Sequence, residues 1–331
     1  MFVEILIYIY LGICAGMILF NIVTALLSRR RTHRFHRRST RFEKEISREL
    51  DRLAETGEVS AEHLRRMERK LRRVNNMVTY DQALERLLPC RPALVRDYLL
   101  ASSGVVVTLA EDYCRRDEIE SAYFPYLIKK YRLLSGESCP ELKAMLLDLL
   151  HAPSLYCREN TMQAIYTSGD PVLVVQALQI INADSYYYSG KLLSDGLLNY
   201  TGSSQVLAYA LWCVLAKFQP WLQVALLNYL RFSTDAYCAQ ILSLLNDPAQ
   251  DDEVRFACLR YLGHYPYPPA CSSLLGYARP SKDMRWEYAA IASSALAGYP
   301  GSGPEEQPLP PELVYSLQCI KKSGTARLRL P

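Results

Sequence analysis

Residues 5 to 27 read ILIYIYLGICAGMILFNIVTALL, and only Asn21 and Thr24 are distinctly polar across these 23 positions. As a helix the run is about 34 Å long, enough to cross a hydrocarbon core of roughly 30 Å. A cleaved signal peptide carries its positive charge ahead of the apolar run. Here Glu4 precedes the run and the arginines follow it, so residues 1–28 read as an uncleaved anchor.

The next stretch, SRRRTHRFHRRSTRF, contains Arg29, Arg30, Arg31, Arg34, Arg37, Arg38 and Arg41 and no acid. Basic clusters flanking a membrane span stay on the cytoplasmic side. The expectation is a single-pass protein of the cell membrane, with its N-terminus outside and everything after residue 28 in the cytoplasm. The same arginines suit anionic lipid headgroups, at about 1 kcal/mol each near the surface. A grip on nucleic acid is the weaker reading, because the adjoining apolar run already accounts for the charge. Within that run, Gly12 and Gly16 form GxxxG, the spacing that lets two helix backbones approach. The competing reading is two glycines tolerated in a lipid-facing helix.

The excess of positive charge is confined to one end. From Arg29 to Arg86 there are 17 Lys/Arg against 10 Asp/Glu, although the whole chain carries only +4. Residues 29–78 read as a basic helical stalk of two polar helices broken at Gly57. Phe42, Ile46, Leu50 and Leu53 give the first helix a thin apolar stripe. Leu64, Met67, Leu71 and Val74 give the second a short a/d-like seam.

Beyond residue 78 the chain reads as all-α, with helical segments punctuated by Gly, Pro, Asp and Asn. Residues 79–152 form a first helical part. From 153 to 331 five segments align: CRENTMQAIYTSGDP, KLLSDGLLNYTGSS, LQVALLNYLRFSTD, VRFACLRYLGHYPYP and MRWEYAAIASSALAGYP. Each of the first four is followed by a second apolar helix, and the starts recur roughly every 30 to 34 residues. After the fifth come a Pro/Gly-rich loop (300–311) and a short basic tail, TARLRLP.

The pattern resembles HEAT repeats. The likeness is best over residues 247–299, where DP…DEVRFACLRYLG has the acidic turn, the Val-Arg opening and the Leu-Gly ending of that family. The resemblance implies a HEAT/armadillo-like α-solenoid, a stack that buries a continuous core and leaves a long surface for a partner. It also implies that Arg158, Arg255 and Arg285 bridge neighbouring repeats.

No chemistry stands out. The ten cysteines form no CxxC pair and the five histidines have no ligand neighbours at metal spacing, so no metal and no cofactor are expected. Most cysteines fall in apolar patterns and read as buried, reduced thiols. No nucleophile elbow, phosphate loop or HExxH occurs, and the chain reads as a non-enzyme.

Tyrosine is in excess, 24 against 8 phenylalanines. Tyr123, Tyr126 and Tyr131 share one segment, Tyr186, Tyr187 and Tyr188 a second, and Tyr261, Tyr265 and Tyr267 a third. Tyrosine is enriched at interfaces, so these nine are candidate partner-binding residues. The bland reading is that they cap the ends of repeat helices.

The expected function is a membrane-anchored cytoplasmic scaffold for a protein partner, an integral membrane enzyme or transporter of the cell envelope. The alternative is a HEAT-like protein that binds nucleic acid or a lyase-type small molecule directly. Residues after 86 are net acidic, which weighs against phosphate neutralisation along the repeats.

Overall fold

The computed structural model describes residues 2–134, 140–184, 188–279 and 285–299, and among these it is all-helical with no strand. The chain divides into two compact units, Met1–Leu133 with Glu137–Met145, and Leu134–Gly136 with Leu146–Pro331.

The first unit begins with α1 (Phe2–Thr56), one uninterrupted helix that joins the apolar run, the arginine run and half of the expected stalk. It is the one unbroken helix among the described residues that is long and apolar enough to cross a membrane. Gly57 ends it at φ +75°, a conformation that costs glycine nothing because it has no Cβ. There follow α2 (Ala61–Leu71), α3 (Val74–Leu87), α4 (Pro92–Ala101), α5 (Ser103–Cys114) and α6 (Glu118–Tyr131).

Phe42, Ile46, Leu50 and Leu53 of α1 are buried, with Met67, Met77, Leu84, Tyr98, Tyr113 and Ile128 among the rest of this core. The stripe of the expected stalk lies inside the same unit as residues 79–133. The expected seam through Val74 is revised. The helix breaks at Arg72 and Arg73, and the buried stripe of α2 is His63, Met67 and Leu71. α4 and α5, turned 64° from one another, are apolar enough together to be taken for a broken span. Their Val95, Tyr98, Leu109 and Tyr113 are core residues of this unit.

The division between units falls within α7 (Pro140–Leu149). The second unit then alternates first and second helices. The first helices are α8 (Leu155–Tyr166), α10 (Gly190–Leu197), α12 (Pro220–Ser233), α14 (Asp252–His264) and α16 (Trp286–Leu296). The second helices are α9 (Pro171–Ala183), α11 (Ser204–Val214), α13 (Cys238–Leu245) and α15 (Cys271–Ala278). Every aligned sequence segment is thus a helix, and each first helix packs on the next one along the chain. Local signals set the starts: Asp170 accepts from Val172 and Leu173 ahead of α9 with Pro171 in the first turn, and Asp251 accepts from Glu253 ahead of α14.

Candidate interaction surfaces

The tyrosines explain how successive pairs are fastened. Tyr200 Oη donates to the Gly169 carbonyl at 2.6 Å, Tyr261 Oη to Thr234 at 2.6 Å, Tyr277 Oη to Leu245 at 3.1 Å and Tyr299 Oη to Leu262 at 3.0 Å. Each hydroxyl reaches a carbonyl in the preceding pair, at or near a helix end where carbonyls lack intrahelical partners. The rings fill apolar space while the hydroxyl satisfies the backbone, which phenylalanine cannot do. Burial pushes the Tyr200 hydroxyl up to about 12, so it donates as a neutral phenol. Replacing Tyr261 by Phe leaves the Thr234 carbonyl without this donor and is expected to cost about 1–2 kcal/mol. Urea unfolding of the full-length chain in detergent checks the value.

The candidate tyrosines divide accordingly. Tyr261 is fully buried and Tyr188 nearly so, with the Arg158 guanidinium 5.2 Å from the Tyr188 ring centre. Neither presents a ring to a partner. Tyr265 and Tyr267 are half-buried, Tyr265 packing its ring on Tyr261 and His264. Tyr186 and Tyr187 lie outside the described residues.

In the first unit, Tyr123 and Tyr131 both donate to Asp81, at 2.9 and 2.6 Å, and Lys130 Nζ lies 2.5 Å from the same carboxylate. Burial works against the Lys130 charge, but hydrogen bonds to Asp81 and Glu85 outweigh it and raise its pKa. Of this trio only Tyr126 is exposed, at 39 %. Composition announces that tyrosines are numerous but not which way they point.

The repeat arginines hold turns and neighbours. Arg158, buried, donates to the Ala152 and Pro153 carbonyls at 2.8 Å. Arg255 donates to the Asp247 carbonyl at 2.7 Å, and Arg285 reaches back to Glu253 of α14 at 3.1 Å. Two of the three thus fix the turn before their own helix, and Arg285 joins adjacent pairs. Of the eight described cysteines only Cys157 and Cys258 are buried, so the expectation of mostly buried thiols is corrected. Burial raises the Cys258 thiol to about 12.

On α1, Arg29, Arg30, Arg34, Arg37, Arg38 and Arg41 are exposed, and none has a carboxylate partner among the described residues; the Arg31 side chain lies outside them. Helical spacing puts most of this collar on a face turned away from the buried Ser39, Phe42 and Ile46. Gly12 and Gly16 are open: a Cβ on either meets nothing within 4 Å.

A surface that motif reading missed lies on the second helices. α9, α11, α13 and α15 contain no Asp, Glu, Lys, Arg or His. The first helices carry Arg158, Glu159, Lys191, Asp195, Arg231, Glu253, Arg255, Arg260 and Glu287. α9 packs on α11, the Trp212 ring of α11 stacks on Tyr237 at the start of α13, and Tyr277 of α15 bonds the last turn of α13. The row exposes Val172 (62 %), Val206 (52 %), Tyr209 (66 %) and Leu275 (43 %). Four successive second helices without charge are legible in the sequence, once charge is counted by helix and not by chain.

The first unit encloses an apolar cavity of ≈ 50 Å³ between Met67, Met77, Tyr80, Tyr98 and Phe124. That is room for one or two waters, not a substrate. At its edge His63 pairs with the Tyr98 hydroxyl at 2.9 Å, and burial lowers its pKa against the pull of Glu49 and Glu45. No three of His, Cys, Asp and Glu converge on a metal position among the described residues.

Compared with known proteins, the chain matches no family model, no curated protein and no solved structure. The class that fold and surfaces define is an all-helical protein of paired helices, with an N-terminal helix able to cross a membrane.

Proposed function

We propose that this chain is a membrane-anchored scaffold that docks a protein partner on the uncharged row α9–α11–α13–α15. In this reading α1 crosses the cell membrane with its N-terminus outside, and the arginine collar rests on anionic headgroups at the cytoplasmic face. The second unit is a HEAT-like α-solenoid, and its partner is an integral membrane enzyme or transporter.

The uncharged row carries the proposal. Helix faces that meet only water hold charge, as the first helices do, whereas interface centres are depleted of it and enriched in aromatics. The anchor confines both partners to one surface, which raises their effective concentration and lets a modest interface suffice.

The test is co-purification of full-length protein from its native membranes in mild detergent, comparing wild type with the V206K/Y209K variant. Both side chains are exposed, so the melting temperature is expected to stay unchanged while partner recovery falls about tenfold, the penalty of burying unpaired charge at an interface. Unchanged recovery would show that the row is not the docking surface.

A further inference from the structure

We infer that the first unit holds a phosphate-binding site where α2 meets α3. Arg66, Arg69, Lys70, Arg73 and Asn76 line an open hollow of ≈ 320 Å³. Arg66, Arg69 and Lys70 lie on α2 and Arg73 in the turn that follows it, so four cations crowd one short stretch of chain. Like charges at these separations repel, and the arrangement is stabilising only with anions present.

The protein supplies part of that anion itself. Glu45 of α1 takes Lys70 at 2.7 Å and lies 3.9 Å from Arg66, and Glu62 takes Arg66 at 3.1 Å. Arg72, on the flank, pairs with Glu68 and Asp112. Arg69 and Arg73 have no carboxylate partner among the described residues, and Arg69 Nε makes only a 3.3 Å bond to the Arg65 carbonyl. Two guanidinium groups are thus left free at one hollow.

A second feature points the same way. α3, of 14 residues, starts at this hollow with Arg73 as its N-cap, and no side chain caps its first turn. Its first N–H groups have no side-chain partner, and the helix end is electropositive. An uncapped end among cations is the arrangement that accepts a phosphate. Asn76 Nδ2 donates to the Lys70 carbonyl at 2.8 Å and ties the two helices at this point. Planar guanidinium forks suit a phosphate with two or more charges better than a singly charged diester.

The phosphate has two possible sources, a lipid headgroup or a soluble phosphate ester. Glu45, at the hollow, lies 18 residues past Leu27, about 27 Å along a straight helix. The headgroup layer is only about 5–8 Å deep. An upright α1 therefore offers the hollow to soluble phosphate, and a steeply tilted one offers it to lipid. The site does not rest on the scaffold reading and can stand if that reading fails.

The experiment uses full-length protein in detergent micelles. Pyrophosphate binding is followed by calorimetry, and native mass spectrometry counts retained phosphatidic acid against phosphatidylglycerol. Binding of pyrophosphate identifies a soluble source, and selective retention of phosphatidic acid identifies lipid. In either case R69Q/R73Q is expected to weaken binding about tenfold, while K191Q/K217Q, at two exposed lysines of the second unit, leaves it unchanged. If neither probe binds, if R69Q/R73Q behaves as wild type, or if both variants lose binding equally, the hollow is not a site.

Discussion

Replacing Asp81 by Ala is expected to cost the first unit about 3 kcal/mol, among the largest effects of any single polar substitution in it. Asp81 is 7 % exposed and gathers three donors from α6: Tyr123, Lys130 and Tyr131. Its removal leaves a part-buried ammonium with only Glu85 for company, and two phenols whose partner is gone. The penalty comes less from lost attraction than from donors stranded away from water. Asp81→Asn keeps the shape and an acceptor oxygen and is expected to lose about half as much. Hydrogen exchange of α3 and α6 in full-length protein reads the effect locally. Unaltered protection in D81A would mean that water replaces the carboxylate at no cost.

The second large effect is steric. A Cβ on Gly263 would stand 2.8 Å from the Ala295 Cβ and 2.9 Å from its Cα, so α14 and α16 touch backbone to backbone there. Gly263→Val forces the two helices apart and is expected to destabilise by about 3 kcal/mol. Gly263→Ala does so to a lesser degree. Adding Ala295→Gly to G263A removes one of the two clashing carbons and should restore part of the loss, a coupling that a double-mutant cycle measures. Independent, additive effects would show that these helices can separate freely at this point.

Much of the architecture was legible. The break at Gly57, the paired helices after residue 153 and the stripe Phe42–Ile46–Leu50–Leu53 follow from apolar spacing and turn residues, which are local signals. The tyrosine misreadings share one cause, the direction of side chains that are half apolar and half polar. A tyrosine that staples Thr234 from within and one that faces a partner look alike in sequence, so Tyr188 and Tyr261 were grouped with Tyr126. The same limit hid His63, whose neighbour Tyr98 lies 35 positions away. Val74 was placed on the wrong helix because Arg72 and Arg73 carry no breaker signal. The uncharged row was overlooked for a different reason: it is defined by what four helices lack, and motif searches look for what is present.

The continuity of α1 has a mechanical consequence. Its apolar length and the stripe that packs the first unit belong to one helix without proline or glycine between residues 17 and 56. The apolar length and the first unit are therefore joined by a stiff beam, not a leash. From Leu27 to Thr56 the beam runs about 44 Å, so a span leaning by 20° carries its far end sideways by about 15 Å. In a bilayer, thickness would be converted into position: a thinner membrane leans the beam and sweeps the first unit across the surface, where a flexible linker would absorb the same change unnoticed.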